Sequence, residues 1–370
     1  MSDIEDLTTT ELLRPSELVK PIDRKAEAEA AGRGGRPQAD LSVRLAGIPL
    51  RSPIVTASGC FASGKEIAEF MDLRVLGAVV VKSMTLEPWQ GKPPPRMVET
   101  PSGMLNAIGL QNKGVDYFLR YDLQALNAAK VPVIASIAGN TQQEFVRVAD
   151  RLRGAPGVIA VEVNISCPNL EDRSSMFSHD PKATAGVIGN VRRCLEVPVF
   201  AKLSPNVTSI TDIAGAALDA GAAGLSLINT LLGMAIDIET GKPRLGGVMG
   251  GLSGPAIRPV AVRAVYEVRQ AYPDVPIIGM GGVMDYKDAL EMIWAGANAV
   301  AIGTANFIDP RSTLDITRGI ERFLVEHGIR SLSRLRALSG PRSSPPAPSA
   351  TPASAAPSPG APPSAPLSRR

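Results

Sequence analysis

The chain has 370 residues, a net charge of +3, 44% hydrophobic residues and 20% charged residues. These proportions are those of an ordinary globular protein, and they exclude a chain that is disordered throughout. The small net charge and the lack of a basic stripe with interleaved aromatic residues exclude a nucleic-acid-binding protein. Three cysteines in so long a chain do not form a disulfide framework, which favours a reducing compartment.

Both ends of the chain differ in composition from the middle. Residues 1–40 are rich in charged side chains and lack the apolar segment of a signal peptide, so we expect a mobile charged arm. Residues 337–370 are expected to form a disordered Pro/Ala/Ser-rich tail, since 341–370 alone hold ten of the 32 prolines. An apolar stretch at 213–236 contains an aspartate and glycine breaks, which argue against a membrane helix. The foldable domain is expected at 41–336, in a cytoplasmic protein.

Short apolar runs alternate with amphipathic stretches along the middle of the chain. The runs are continuously apolar, which is typical of strands buried on both faces of a parallel sheet. Strands are predicted at 53–57, 76–82, 132–138, 158–164, 198–203, 224–229, 276–281 and 299–303. Helices are predicted after them at 65–72, 115–126, 142–152, 182–195, 210–220, 256–271, 286–295 and 311–327. This strict alternation indicates an α/β fold of the single-domain (βα)8 TIM-barrel type rather than a doubly wound sheet.

Several predicted strands end in polar side chains for which a packed barrel has no structural use. These are Lys82, Asn140, Asn164, Lys202 and Asn229. A single lysine at a strand end is usually only solvated, but residues at equivalent ends meet on the face of the barrel where active sites are built. Together they would form a cationic, polar floor for a planar ligand with carbonyl groups and an anionic group.

The last two predicted strands run into glycine-rich loops, GMGGV at 279–283 and AIGTA at 301–305. Loops at these places in barrels often bind a phosphate, and glycine lets the backbone approach the anion closely. No dinucleotide fingerprint is completed, because Met284 stands where its last glycine would be. A polar floor beside a phosphate site suggests a phosphorylated cofactor such as FMN. Long loops at 83–113, 165–179 and 230–254 are expected on the same face.

Cys167 lies in the loop after the fourth predicted strand, within the motif NISCPN. An isolated cysteine is more often structural than reactive, but this one lies on the expected catalytic face. A Cys–His nucleophile would need a nearby base, and the chain has only His179 and His327. A thiol acting as a general acid/base beside a flavin needs no such partner. Cys60 and Cys194 are expected to be structural.

Nine segments of the chain resemble the catalytic subunit of dihydroorotate dehydrogenase, class 1, and most nearly the NAD-linked class 1B. The segments are ASGCFASGKE (57–66), VVVKSMT (79–85), SGMLNAIGLQN (102–112), EVNISCPN (162–169), VFAKLSPNVT (199–208), LINTLLG (227–233), GGLSGPAIRP (250–259), PIIGMGGV (276–283) and AVAIGTANF (299–307). The resemblance covers about 290 residues and leaves out both tails. It implies an FMN enzyme that oxidises dihydroorotate to orotate in pyrimidine biosynthesis.

The resemblance also implies roles for individual residues. Cys167 would be the base that removes the C5 proton while a hydride passes from C6 to the flavin. The FMN-binding set would be Ser58, Lys82, Ser83, Asn140, Asn164, Lys202, Ile228, Gly254, Gly281, Gly282, Gly303 and Thr304. The substrate-binding set would be Lys82, Asn106, Ala107, Ile108, Gly109, Leu110, Asn164, Asn229 and Thr230. No metal site is implied, and His179 is expected to face solvent.

In class 1B, electrons leave through a separate subunit that carries FAD and a [2Fe–2S] cluster and reduces NAD. This chain has neither a cysteine quartet for a cluster nor a dinucleotide fingerprint. The resemblance therefore implies such a partner, with a homodimer of this chain at the core of a heterotetramer. A cysteine at 167 and the lack of an N-terminal membrane helix argue against the quinone-linked class 2 enzymes, which have a serine there.

Four alternatives stay open. Two are a fumarate-linked class 1A enzyme, which works without a partner, and an FMN barrel that reduces pyrimidines, as in dihydropyrimidine dehydrogenase. A third is a Schiff-base aldolase that uses Lys82 or Lys202 and binds a phosphorylated substrate. The last is a non-catalytic flavin-storage or scaffolding barrel. A flavin spectrum would exclude the aldolase, and bleaching by dihydroorotate but not by dihydrouracil would separate the two pyrimidine enzymes.

Overall fold

The computed structural model describes residues 39–166 and 176–338. Cys167 and almost all of the two predicted tails lie outside these residues, so the domain boundaries at 41 and 336 stay predictions. In chain order the strands are β1 (Val43–Leu45), β2 (Ile48–Leu50), β3 (Ile54–Thr56), β4 (Val79–Val80), β5 (Met97–Thr100), β6 (Gly103–Asn106), β7 (Val133–Ile137), β8 (Val158–Asn164), β9 (Val199–Leu203), β10 (Gly224–Leu227), β11 (Leu231–Gly233), β12 (Gly250–Ser253), β13 (Ile277–Met280) and β14 (Ala299–Ile302).

The helices lie between the barrel strands and after the last of them. They are α1 (Val115–Tyr117), α2 (Leu123–Ala128), α3 (Gln142–Leu152), α4 (Pro181–Cys194), α5 (Ile210–Asp219), α6 (Arg258–Ala271), α7 (Tyr286–Ala295), α8 (Ala305–Ile308), α9 (Ser312–Glu326) and α10 (Leu332–Leu338). A π-helical turn at Phe118–Asp122 joins α1 to α2, and 3₁₀ turns lie at Ile67–Glu69, Leu73–Val75, Phe177–His179 and Pro255–Ile257.

The helix predicted at 65–72 is wrong, because this segment holds only a 3₁₀ turn of three residues. The turn ends before Asp72, whose side chain accepts a hydrogen bond from the Arg74 N–H and caps a second 3₁₀ turn. A side-chain acceptor of this kind competes with helical hydrogen bonding of the backbone. The sequence pattern showed the apolar spacing of a helix but not the cap that interrupts it.

Eight parallel strands form the barrel, in the order β3-β14-β13-β10-β9-β8-β7-β4. The two end strands also meet, since Val55 and Ala78 form a parallel bridge. The Thr56 hydroxyl strengthens this seam, because it donates to the Val80 carbonyl at 3.1 Å and accepts from the Val80 N–H at 2.9 Å. All the predicted barrel strands are present, and the predicted TIM barrel is confirmed.

Alternate residues of each strand point into the barrel, where an apolar layer lies below a polar one. Phe200 belongs to the lower layer and is fully buried. Gly224 lies opposite Phe200 in the register of β9 and β10, and a Cβ on this glycine would be 2.4 Å from the Phe200 ring. The glycine therefore makes room for the large side chain. The next inward residue along β9 is Lys202, which begins the polar layer.

A second, antiparallel sheet arises from the long loops that leave the carboxyl ends of β4 and β10. Its strand order is β11-β12-β6-β5, and it has a small core of its own made of Leu105, Ala107 and Leu245. The sequence analysis assigned these segments only to loops. Their strands are short and half-exposed and have no long apolar run, so local periodicity gives no strand signal.

Candidate active site

The polar residues predicted at strand ends gather at the carboxyl end of the barrel. Lys82 follows β4, Asn140 follows β7, Asn164 ends β8 and Asn229 follows β10. Lys202 does not end its strand, because β9 continues to the next residue, and its side chain is buried in the barrel. The expectation of a strand-end lysine is therefore corrected to one that points inward from the strand.

The first two residues of the loop after β13 lie so close to α6 and its neighbours that they have no room for side chains. Gly281 and Gly282 have φ angles of 124° and 75°, which L-residues with side chains rarely adopt. A Cβ on Gly282 would lie 2.6 Å from the Cβ of Arg258 and 2.8 Å from its backbone nitrogen. A bare backbone of this kind lets an anion approach its N–H groups, so the loop fits a phosphate-bearing group.

The loop after β14 lies beside the end of β12. The Thr304 hydroxyl donates to the Ser253 hydroxyl at 2.9 Å, and Gly303 precedes Thr304 directly. Gly254 has a φ of 92°, and a Cβ there would lie 2.7 Å from the Cα of Gly103. The structure thus brings the four predicted cofactor glycines of three loops to the same end of the barrel.

Two further residues of the predicted FMN set are fixed by backbone hydrogen bonds. The N–H of Ile228, which follows β10, donates to the Met280 carbonyl at 3.1 Å. The N–H of Asn140 donates to the Glu144 carboxylate at 2.7 Å. The peptide bond between Leu227 and Ile228 is cis. Both residues therefore hold defined positions at the carboxyl ends of β7 and β10.

A buried ion pair lies beneath these loops. The ammonium group of Lys202 is 3.7 Å from the carboxylate of Glu162, and both side chains are nearly inaccessible to solvent. The same ammonium donates to the Ser58 hydroxyl at 3.2 Å. Buried ions are stabilised only when they are paired and hydrogen-bonded. The pair therefore holds one predicted FMN-binding residue, Lys202, against another, Ser58.

Hydrogen bonds connect the predicted cofactor and substrate residues. The Asn164 amide donates to the Ser83 hydroxyl at 3.3 Å, and the Ser83 hydroxyl is 2.9 Å from that of Ser136. On the other side, the Asn229 amide donates to the Asn164 side-chain oxygen at 3.1 Å. The backbone N–H of Thr230 in turn donates to the Asn229 side chain at 2.8 Å. These contacts set the orientation of both amide groups.

A cavity of about 330 Å³ opens beside this network, and its size suits a small polar molecule. Predicted substrate residues that line it are Asn106, Ala107, Ile108, Gly109, Leu110, Asn164, Asn229 and Thr230. The other lining residues are Trp89, Lys92, Ser166, Met176, Ser204, Asn206, Leu232, Met249, Gly250 and Gly251. Lys82 is not among them. Of the predicted substrate set, the structure thus brings all but this lysine to one cavity.

Asn206 and Lys92 are two of the ten lining residues that the sequence analysis did not predict. Asn206 donates to the Thr230 carbonyl at 3.1 Å and accepts from the Leu232 N–H at 2.9 Å, so it shapes the cavity wall. Its signal was the segment LSPN at 203–206, which follows β9 as the similar NISCPN follows β8. Lys92 contributes a cation to the lining, but it lies far from any predicted strand end, so no local pattern identified it.

The other singled-out residues lie away from this cavity. Burial raises the pKa of the Cys60 thiol, an effect opposed by the ammonium groups of Lys202 and Lys82. A neutral thiol agrees with the structural role expected for Cys60. The Cys194 thiol lies in α4 and donates to the Asn190 carbonyl at 3.4 Å. His179 is exposed and lines a separate surface cleft.

The family model of dihydroorotate dehydrogenase matches residues 40–324. The chain belongs to the dihydroorotate dehydrogenase family. Three relatives are named dihydroorotate dehydrogenase B (NAD(+)), catalytic subunit. That of Desulforudis audaxviator is 53% identical over 294 residues, 80% of this chain and 95% of the relative. That of Geotalea daltonii is 51% identical over 296 residues, which are 80% of this chain and 97% of the relative. That of Anoxybacillus flavithermus is 53% identical over 293 residues, which are 79% of this chain and 94% of the relative.

Membership of the dihydroorotate dehydrogenase family confirms the resemblance seen in the sequence, and the relatives' names agree with class 1B. Among residues 39–166 and 176–338, no helix is long and apolar enough to cross a membrane. The same residues contain no group of three or more His, Cys, Asp or Glu side chains arranged to hold a metal ion.

Proposed function

We propose that this chain oxidises (S)-dihydroorotate to orotate in pyrimidine biosynthesis, as the FMN-containing catalytic subunit of an NAD-linked enzyme. The observation that carries the proposal is the cavity of about 330 Å³, whose wall includes Asn106, Asn164 and Asn229. Asparagine side chains can both donate to and accept from the carbonyl and N–H groups of a pyrimidine ring. The dihydroorotate dehydrogenases are FMN-dependent flavoproteins, which agrees with the glycine loops beside this cavity.

One FMN per chain would be held by the predicted cofactor residues. The Gly281–Gly282 loop and the Gly303–Thr304 segment would receive the phosphate, because glycine lets the backbone come close to an anion. Bound FMN would serve as the hydride acceptor. Lys202 would place a fixed positive charge near the cofactor and so favour its reduced, more negative form. Lys82 would contribute a second charge at the same end of the barrel.

Cys167 would take the C5 proton of the substrate. It follows Ser166, which lines the cavity, by one residue. The backbone N–H of Ser166 donates to the Asn164 side chain at 3.3 Å, so the start of the Cys167 loop is anchored to the hydrogen-bond network. A thiol at this place could act as a general base without a histidine partner.

Electrons would pass to NAD through a partner subunit that carries FAD and a [2Fe–2S] cluster, in a cytoplasmic heterotetramer built on a homodimer of this chain. The relatives' name "catalytic subunit" supports the existence of a partner. In and after β11, side chains two residues apart expose apolar surface: Leu232 is 54% exposed, Met234 45%, Ile236 54% and Ile238 91%. A contiguous apolar strip of this kind is typical of subunit interfaces, and we assign it to the homodimer.

Anaerobic titration of the purified chain with dihydroorotate tests the proposal. We expect a flavin spectrum that dihydroorotate bleaches and dihydrouracil does not. Slow re-oxidation by NAD that becomes fast on addition of the partner subunit is the expected NAD-linked behaviour. Fast re-oxidation by fumarate without a partner would instead identify a class 1A enzyme. A colourless protein, or a flavin that dihydroorotate leaves oxidised, would contradict the proposed function.

A further inference from the structure

A carboxylate that has no role in the proposed function lies at the centre of the polar layer. Glu162 is the fifth residue of β8 and is completely buried. Within the described part of the chain, its Oε2 atom has no hydrogen-bond partner. An ionised carboxylate buried in this way costs several kcal/mol of free energy unless its charge is compensated. Its burial therefore calls for a reason beyond packing.

The first contact of Glu162 is the lysine already placed in the predicted FMN set. The Lys202 ammonium is 3.7 Å from Glu162 Oε1 and also donates to the Ser58 hydroxyl. The ammonium is thus held between a carboxylate within β8 and a hydroxyl that follows β3. Removing the carboxylate would leave a buried cation with a neutral partner only.

The second contact of Glu162 sets the direction of a chain of hydrogen bonds. A carboxylate can only accept, so the Ser136 hydroxyl donates to Glu162 Oε1, at 3.2 Å. Since the one hydroxyl proton of Ser136 is used, Ser83 must donate to Ser136 across the 2.9 Å that separate them. Ser83 then accepts from the Asn164 amide. Each donor therefore points towards Glu162.

This direction determines which atom of Asn164 faces the neighbouring strand end. With its nitrogen bound to Ser83, Asn164 turns its oxygen towards the Asn229 amide, which donates to it at 3.1 Å. Both asparagines line the proposed substrate cavity. The carboxylate buried below the site thus fixes the donor and acceptor pattern that the cavity presents.

We infer that Glu162 is a positioning residue with two effects. Its charge compensates Lys202 beneath the flavin, and its acceptor oxygen orients Asn164 and Asn229 through Ser136 and Ser83. The inference rests on the proposed function, because it assigns the flavin and dihydroorotate to this end of the barrel. Glu162 itself touches neither ligand.

The charge effect is tested by Glu162→Gln, which keeps the shape and an acceptor oxygen but removes the negative charge. The site then carries one more positive charge, which favours reduced flavin, so we expect the midpoint potential of bound FMN to rise. Ser226→Ala is the matched control: Ser226 is buried opposite Lys202 in β10, and its hydroxyl has no hydrogen-bond partner among the described residues. This control is expected to leave the potential unchanged.

The relay is tested by Ser136→Ala, which keeps the carboxylate and removes the hydroxyl between Glu162 and Ser83. Asn164 is then free to rotate its amide, so we expect KM for dihydroorotate to rise about tenfold with little change in kcat. The midpoint potential should change less than in Glu162→Gln, because no charge has changed. If Ser136 had a purely structural role, its removal would not raise KM for dihydroorotate separately from the midpoint potential of FMN.

Each outcome decides the inference. An unchanged potential in flavin-loaded Glu162→Gln overturns the charge effect, and an unchanged KM in Ser136→Ala overturns the relay. If Glu162→Gln purifies without flavin, Glu162→Asp, which retains the charge, is expected to keep it; loss from both variants also overturns the charge effect. Wild-type protein that binds no FMN contradicts the proposed function instead, so the two failures are distinguishable.

Discussion

The charges of individual side chains near the site depend on burial and on neighbouring groups that the sequence does not reveal. Lys202 occupies a place where a lysine would usually be solvated, yet its side chain is buried against Glu162. A buried cation without that carboxylate would cost several kcal/mol. Unlike Lys202, which is buried as a charged group, Cys60 is buried as a neutral one, because burial raises the pKa of its thiol.

The residue-scale prediction concerns Cys167. We expect Cys167→Ala to retain FMN, because Cys167 does not belong to the predicted FMN-binding set, and to lose most turnover, about 10²-fold or more, because the general base is gone. Steady-state oxidation of dihydroorotate and the flavin absorbance measure the two properties. Cys194→Ala is the control, since its thiol lies in α4 and only donates to a backbone carbonyl. Turnover at the wild-type rate in Cys167→Ala would contradict the base assignment.

At the scale of elements, the junctions after the barrel strands carry the site. The loop between β13 and α7 combines two glycines at positive φ with close contact to α6. Helix α7 then begins at a capping box formed by Asp285 and Asp288, which fixes where the loop ends. A loop that begins with two glycines and ends at a helix cap fits a phosphate, because its N–H groups are preorganised.

The element-scale prediction is that Gly282→Ala weakens FMN binding at least tenfold. The new Cβ would meet the backbone of Arg258 and would also require an alanine at a φ of 75°. Gly241→Ala separates these causes, because Gly241 has a φ of 66° but nothing lies within 4 Å of its Cβ position. The control should lose about 1 kcal/mol of stability and no FMN affinity. Equal FMN dissociation constants for Gly282→Ala and wild type would refute the assignment.

On the scale of the whole molecule, the described fold is one barrel with a second sheet at the carboxyl ends of its strands. Helix α10 packs beside the residues that precede β14, and its Leu332 and Leu335 are buried. Arg336 in the same helix donates to the Ala297 carbonyl at 3.2 Å and to that of Asn298. The last described contacts with the barrel therefore come just before the Pro-rich tail.

The whole-molecule prediction is that deleting residues 341–370 changes neither folding nor activity. The deletion leaves α10 and its contacts in place, so the melting temperature and the rate of dihydroorotate oxidation should match those of the full chain. Deleting 332–370 is the comparison, because loss of two buried leucines costs about 2–5 kcal/mol each. A lower melting temperature or rate in the shorter deletion would show that the tail contributes to this protein.

Local patterns in the sequence were sufficient to predict the barrel strands. They were not sufficient to predict the second sheet at the carboxyl ends of those strands. Continuous apolar runs identify strands buried on both faces, so all eight barrel strands were found. The strands of the second sheet pair across long separations, as Asn106 and Gly251 do, and no local period records such a pairing. Glu162 was overlooked because one charge inside the run VIAVEVN does not alter its strand pattern.

The sequence by itself determined the family, the barrel and the set of polar residues at its strand ends, because these depend on periodicity and on motifs of adjacent residues. Only the tertiary structure decided that Lys202 is paired with Glu162 rather than solvated and that the serines direct their protons towards that carboxylate. It also decided that Asn206 and Lys92 join the cavity wall. Burial and hydrogen-bond direction are properties of groups brought together from distant strands, so no local segment contains them.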